Sequence, residues 1–193
     1  MKIHQISKVL SIVFVIVLLH SCNNEASQNS TSTTTIEEST SENKQGQAYI
    51  EDDSSTPNVL QIAMNSPDHT TLVAAVQTAG LENVLVNAGP LMVFAPTNEA
   101  FKALPEGVLE DLLKPEKKDA LANILKHHVT AGNYSKDFLK KFKKLGQAND
   151  QSTTVEVSGE DVLVGGAKII ASIEAGNGIV HVVDKVILPP SNK

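Results

Sequence analysis

Few side chains in this 193-residue sequence have the types and spacing that catalysis requires. The stretch LMVFAPTNEAF, residues 91–101, is predicted to run from a strand through a sharp turn into a helix, with Thr97 and Asn98 at the corner. A nucleophilic hydroxyl needs a neighbouring base, and many hydrolases carry theirs in a G-x-S-x-G segment, which does not occur in this sequence. We therefore interpret Thr97 and Asn98 as helix caps, whose side-chain oxygens accept hydrogen bonds from free backbone N–H groups.

Three histidines are the other candidates for catalysis or metal binding. His127 and His128 are adjacent on a predicted helix, so their side chains diverge and do not easily chelate one metal ion. His128 lies on the apolar stripe and is predicted to bond a backbone carbonyl in the core, whereas His127 is predicted to be more exposed. His181 and Asp184 point to opposite faces of a predicted strand, which disfavours a catalytic pair. The sequence has no zinc-protease, phosphate-loop or dinucleotide motif, and we expect neither a metal nor a cofactor.

The unusual surface feature is the segment SKDFLKKFKK, residues 135–144. Its apolar stripe, formed by Phe138, Leu139 and Phe142, is surrounded by five lysines: Lys136, Lys140, Lys141, Lys143 and Lys144. One interpretation is an amphipathic helix that docks through its aromatic side chains and leaves the lysines in solvent. The other is a binding patch, with His127 as a further contact, for anionic polysaccharide, acidic protein or lipid headgroups.

Composition excludes one class of partner. All 16 basic residues are lysines, and the formal net charge at pH 7 is -6. Without arginine the chain lacks the planar fork that binds phosphate through two hydrogen bonds. Its acidic balance also lacks the positive footprint of nucleic-acid-binding proteins. We therefore do not expect DNA or RNA as a partner.

The segment before Cys22 has the pattern of a signal peptide. A basic start precedes the apolar run VLSIVFVIVLL, residues 9–19, which is too short to span a bilayer. Leu-His-Ser-Cys at residues 19–22 resembles the bacterial lipobox, which implies cleavage after residue 21 and acylation of Cys22, for example with palmitate. An ordinary secretory signal with a chance cysteine is the alternative. Residues 22–56, rich in Ser, Thr, Asn and Glu, are predicted to be a lipidated, disordered spacer.

The elements that position these residues are predicted within one domain, residues 57–190, followed by a tail at 191–193. Helical periodicity or apolar turns occur in the first half, within residues 58–65, 70–79, 81–87, 98–104, 105–113 and 115–129. Two hairpin patterns occur in the second half: TTVEVS and DVLVG flank Gly159-Glu160, and AKIIASI and IVHVVDKVIL flank EAGNG. Helices followed by antiparallel strands predict an α+β domain.

Three motifs in this order resemble the fasciclin domain family. They are TTLVAAVQTAGLENVL with GPLMVFAPTNEAFKALPEGVLEDLL, ILKHHVTAG, and IEAGNGIVHVVDKVILP. The resemblance implies a single domain built as a wedge of two small β-sheets with helices packed on one side. It also implies structural roles for Phe94, Pro96, Thr97, Asn98, Phe101, His128, Gly178, His181 and Asp184. The sequence departs from the family pattern at Met92, where threonine is usual, and at His127, where tyrosine is usual.

The combined interpretation is a non-catalytic adhesion or interaction module on a bacterial lipoprotein. Family resemblance implies adhesion to extracellular matrix or cell-surface partners, and Asn23 after Cys22 resembles lipoproteins of the outer membrane. The expected partners are the membrane, through the lipid anchor, and an anionic polysaccharide or a surface protein. An envelope enzyme or a small-ligand carrier that uses a pocket of the domain is the alternative. A purely structural envelope component is a third possibility.

Overall fold

Short helices make up most of the first part of the chain. The computed structural model describes residues 56–87 and 89–190. The helices in this part are α1 (Val59–Met64), α2 (Thr70–Ala79), α3 (Glu82–Asn87), α4 (Asn98–Lys102), α5 (Val108–Leu112) and α6 (Lys118–His127), with 3-10 turns at Pro67–His69 and Pro115–Lys117. The caps explain several boundaries. Asn58 and Gln61 form a reciprocal capping box at α1, and Gly80 ends α2 in the left-handed conformation at φ 70°, which glycine adopts without strain.

Seven strands follow one continuous hydrogen-bonded order. They are β1 (Leu91–Pro96), β2 (Val129–Ala131), β3 (Lys144–Gly146), β4 (Ser152–Ser158), β5 (Asp161–Val164), β6 (Ala167–Ala175) and β7 (Gly178–Val183), in the order β2-β1-β7-β6-β5-β4-β3. Both predicted hairpins, β4–β5 and β6–β7, are present. The mixed helix and strand class is therefore confirmed, while a division of the strands into two small sheets remains a prediction.

The pair β1–β7 is parallel, and the other pairs in this sheet are antiparallel. Leu91 lies opposite Gly178 at the start of this pair, and a Cβ atom added at Gly178 would overlap the Leu91 carbonyl oxygen. Only glycine lets the two backbones approach this closely. Gly178 is thus required by the close approach of two strands.

The two ends of the strand order meet. The Ala148 N–H, just after β3, donates to the Val129 carbonyl of β2 at 2.7 Å. The buried Gln147 amide lies 2.8 Å from Thr130 Oγ1, and with its nitrogen turned inward it donates to the His127 and Val129 carbonyls at 3.2 and 3.1 Å. These contacts make the sheet nearly barrel-like.

Strand β1 separates two apolar cores because it is buried on both faces. Alternate residues Leu91, Val93 and Ala95 pack with the helices in the first core. Met92 and Phe94 pack in the second core, which lies among the strands and includes Leu139, Leu145, Val155, Val162, Val164, Ala167, Ile169, Ile179, Val183 and Ile187. The corner after β1 is therefore held from both sides.

The predicted signal peptide, the lipid anchor at Cys22 and most of the spacer lie outside the described residues, as does the tail at 191–193. Among residues 56–87 and 89–190, no helix combines the length and the apolar character needed to cross a bilayer.

A lysine and aromatic surface as the candidate site

The lysine-rich segment, residues 135–144, is not a single amphipathic helix, so the helix of that interpretation was wrong, although Leu139 and Phe142 do pack in the core and most of the lysines are exposed. Helix α7 (Lys136–Leu139) is one turn long, and the Ser135 hydroxyl accepts the Phe138 N–H at its start, at 3.3 Å. Leu139 is fully buried in the second core, and the chain turns there to enter β3 at Lys144. The helix ends because Leu139 is held in the core and β3 pairs with β4.

Three aromatic rings cluster on this segment. The ring centroids of Tyr134, Phe138 and Phe142 lie 5.2–5.5 Å apart, in stacked, tilted and edge-to-face arrangements. Tyr134 and Phe142 are half-buried against the second core, whereas Phe138 is 41% exposed. Phe138 is therefore the most exposed of the three rings, and the other two hold it in place.

The lysines around this cluster are not equivalent. Lys140 pairs with Asp137 at 2.7 Å, and Lys136 lies close enough to Asp161 to help hold the pKa of that carboxyl below its usual range, after the larger effect of Lys168. The Lys141 Nζ lies 4.8 Å from the centre of the Phe138 ring, a cation–π contact. Lys143 and Lys144 are exposed. Within the described residues, Lys136, Lys141, Lys143 and Lys144 form no ion pair, but only Lys136 lies close to a carboxylate that it influences. The positive charge farthest from compensation therefore lies with Lys141, Lys143 and Lys144.

A shallow depression of about 400 Å³ borders the rings. Its walls combine Tyr134 and Phe138 with the polar side chains of Asn133, Ser135 and Glu174. Ring faces contact the C–H groups of a sugar, and polar side chains at the rim bind its hydroxyls. We name Tyr134, Phe138, Phe142, Lys141, Lys143 and Lys144, with this depression, the lysine–aromatic surface.

His127 does not belong to this surface, which corrects its prediction as an exposed binding residue. Only 1% of its surface is exposed, and its Nδ1 donates to Asn149 Oδ1 at 3.1 Å. The Asn149 amide nitrogen donates in turn to the side-chain oxygens of Asn123 and Gln151. His127 is buried because the loop after β3 closes over the end of α6.

His128 occupies the core position expected from its place on the apolar stripe. Its Nδ1 donates to the Ile124 carbonyl at 2.8 Å, and its Nε2 accepts the Ile187 N–H at 2.9 Å. Burial, together with the neighbouring His127, lowers the pKa of His128 to about 4, although the Ile124 carbonyl acts in the opposite direction. The neutral ring thus ties the end of α6 to the segment after β7.

The corner residues Thr97 and Asn98 cap two different helices. The Thr97 hydroxyl accepts the Ala100 N–H at 3.2 Å and caps α4. Asn98 is the first residue of α4, but its side chain reaches the start of α2, where Oδ1 accepts the Thr71 N–H at 3.0 Å and Nδ2 donates to the Pro67 carbonyl at 2.9 Å. Both groups are engaged in structural hydrogen bonds.

His181 and Asp184 have separate partners. His181 is fully buried, with Nδ1 2.8 Å from the Ser172 hydroxyl and Nε2 donating to the Tyr134 carbonyl at 2.9 Å. Burial lowers its pKa, and its ring stacks on Phe94 with centroids 5.7 Å apart. Asp184 accepts the Lys168 N–H at 2.7 Å. In the part of the chain that the structure describes, no cluster of His, Cys, Asp or Glu could hold a metal ion.

The role of Asn177 was missed by sequence reasoning. Asn177 lies in the turn between β6 and β7, where the Asn-Gly pair indicates only a turn. Its Oδ1 accepts the Val59 N–H at 2.9 Å, and its Nδ2 donates to the Leu85 carbonyl at 2.8 Å. The side chain therefore connects this turn to α1 and α3, more than 90 residues earlier in the sequence.

Comparison with known proteins places these features in a family context. A family model for the fasciclin domain matches residues 67–189. Protein sll1483 of Synechocystis sp. is 42% identical over 133 residues, covering 68% of this chain and 73% of that protein. The immunogenic protein MPB70 of Mycobacterium bovis is 33% identical over 154 residues, covering 77% of each chain.

A solved structure is similar in fold. The FAS1 domain pair from the insect cell adhesion molecule fasciclin I matches with a TM-score of 0.61 at 19% sequence identity. The match covers 68% of this chain and 51%, about half, of the insect chain. At this level of identity the likeness concerns the fold.

Proposed function

The chain belongs to the fasciclin domain family, and we propose that it acts as a non-catalytic adhesion module held at a bacterial envelope membrane. One protein of similar fold, the insect molecule fasciclin I, is named as a cell adhesion molecule. The hydrogen bonds of Thr97, Asn98 and the buried histidines support a structural role for the family-motif residues. Lipids on Cys22 would supply the anchor, since one acyl chain alone gives only marginal membrane binding and lipoproteins carry several.

The partner that fits best is an anionic polysaccharide, bound at the lysine–aromatic surface. The single observation that carries this proposal is the exposed Phe138 ring, fixed by two other rings and flanked by lysines without an ion pair among the described residues. Ring faces pack against sugar C–H groups, and ammonium groups attract the carboxylates of an acidic glycan. Net charge elsewhere on the chain is negative, so the attraction is local to this surface.

The test is binding of the purified chain to polygalacturonate, with dextran as the uncharged control, at about 0.05 M and about 0.5 M salt. We expect binding to polygalacturonate that weakens with salt. Replacing Lys141, Lys143 and Lys144 by Gln should weaken it roughly tenfold to a hundredfold, since each exposed charge pair is worth up to about 1 kcal/mol. Phe138→Ala should weaken it further.

The matched control changes three lysines outside this surface, Lys102, Lys114 and Lys117, to Gln. These lysines already pair with Glu99 or Asp111, so binding should stay close to that of the unchanged chain. Equal losses in both triple variants would show that only overall charge matters and would refute a defined site. No binding to any acidic glycan, with binding to an acidic protein instead, would refute the polysaccharide as partner.

The anchor is tested separately in the bacterial envelope. Cys22→Ala should move the protein from the membrane fraction to the soluble fraction, with Cys22→Ser as a second variant that also lacks the thiol. Fractionation of outer and inner membranes tests the proposed outer-membrane location. Retention of both variants in membranes would refute lipid anchoring at Cys22.

A further inference from the structure

An internal cavity lies between the helices and β1, away from the lysine–aromatic surface. Its volume is about 160 Å³, and its walls come from α1, α2, α3, α6, β1 and β7. Residues on its walls include Ala63 of α1, Val76 of α2, Leu85 of α3, Leu125 of α6 and Val93 of β1. All five are buried members of the core.

The walls offer almost no hydrogen bonds. Apart from Lys126 and His128, the side chains lining the cavity are apolar. Both ring nitrogens of His128 are already engaged, with the Ile124 carbonyl and the Ile187 N–H, so the ring presents only carbon to the cavity. A buried water needs two to four polar partners, and a cavity of about 150 Å³ with apolar walls stays dry and binds benzene or xenon.

One side of the cavity reaches solvent. Val84 lines it and is 54% exposed, and the lining residues Lys126 and Ala148 are also exposed. A small molecule therefore has a route past the side chains of α3 and the end of α6. The size limits the occupant, because cofactors and drug-sized ligands occupy sites of roughly 300–1,000 Å³.

We propose that this cavity is a binding site for one small uncharged apolar molecule of about six to eight carbon atoms, either a single ring or a short alkyl chain. The volume matches such a molecule, and the apolar walls favour its transfer from water. The ammonium group of Lys126 belongs to an exposed side chain, so the buried walls offer no free polar group, which disfavours a charged or strongly polar occupant. This binding is independent of polysaccharide adhesion. It would give the domain a second function as a carrier or sensor of apolar compounds.

The experiment titrates the purified chain with toluene and, in parallel, with hexane, and follows the NMR signals of the buried methyl groups and the urea midpoint of unfolding. A ligand that binds only the folded chain raises the midpoint by mass action. We expect saturable binding of one molecule per chain, with shifts at Ala63, Val76 and Leu125. Absence of saturable binding of both probes would overturn the proposal.

Ala63→Leu fills the cavity, and Ala103→Leu is the matched control because Ala103 is exposed and lies outside the lining residues. Each CH₂ group kept out of the cavity lowers affinity about fourfold, so the three extra carbons at position 63 should lower it roughly fiftyfold. Ala103→Leu should bind as the unchanged chain does. If Ala63→Leu does not fold, Ala63→Val provides a smaller step with a smaller loss. Unchanged affinity in a folded position-63 variant would overturn the assignment to this cavity.

Discussion

Protonation of His128 should destabilise the fold in a defined pH range. The neutral ring is fixed in one tautomer, because its Nε2 accepts the Ile187 N–H and its Nδ1 donates to the Ile124 carbonyl. A proton on Nε2 would face that N–H donor inside the core. The main cause of the shift is burial, which disfavours the charged ring and lowers the pKa of this histidine from 6.5 to about 4 in the folded chain.

The size of the effect follows from the difference in pKa between the unfolded and folded states. A shift from 6.5 to about 4 corresponds to roughly 3 kcal/mol, at 1.36 kcal/mol for each pKa unit. Because the folded pKa is the lower one, the unfolded chain takes up the proton first. The stabilisation is fully present above about pH 6.5 and is lost as the pH falls towards 4; by pH 4.5 the loss should be about 2.5 kcal/mol.

The assay is equilibrium unfolding in urea at pH 7.5, 5.5 and 4.5, for the unchanged chain and for His128→Gln. The pKa of His69 and of His181 is also lowered by burial, so both proteins lose stability in acid. Only the difference between the two proteins reports on His128. His128→Gln should be less stable at pH 7.5, since it loses hydrogen bonds, and the gap should shrink by about 2.5 kcal/mol by pH 4.5. A gap that stays constant across this range would refute the linkage.

Other substitutions test the caps and the closest backbone contact, each by urea unfolding at pH 7.5. Thr97→Ala should cost about 0.5–2 kcal/mol through loss of the α4 cap, and no loss would remove the capping role. Asn98→Ala should cost about 1–3 kcal/mol, because the Thr71 N–H loses its partner; a value below that of Thr97→Ala would contradict the bridging role. Gly178→Ala should cost about 1–3 kcal/mol or more, since its Cβ would overlap a backbone carbonyl, whereas Gly146→Ala, with open space around it, should be nearly neutral.

Local features of the fold could be predicted from the sequence because interactions between residues close together in the chain determine them. The apolar stripe ending at Gly80 places α2, and the turn residues at positions 159–160 and 174–178 place both hairpins. Family resemblance supplied the remaining expectation, that the motif residues are structural. The structure supplies the partners of the polar residues in that set, which are Thr97, Asn98, His128, His181 and Asp184.

Features that depend on distant segments could not be predicted in this way. The burial of His127 depends on the Asn149 loop, and Asn98 reaches a helix that begins 28 positions earlier. The segment 135–144 has helical spacing, but Leu139 is held in a core built mostly from later strands. In each case tertiary contacts override a local pattern. The positions of the lysines are visible in the sequence, but only the structure shows that Lys140 pairs with Asp137 and that Lys136 lies near Asp161.

The parallel pairing of β1 with β7 also determines when the domain can fold. Leu91 and Gly178 are separated by 87 positions, so this parallel strand pair cannot form until the last strand has been synthesised. Pairings between distant segments close slowly because the connecting chain must first lose much of its entropy. Until then the edge of β1 that pairs with β7 is open, and in a chain still being synthesised it can pair with other molecules. Residues 91–96 therefore wait for residues 178–183, and the order of synthesis, as well as the stability of the pair, determines how long this edge stays open.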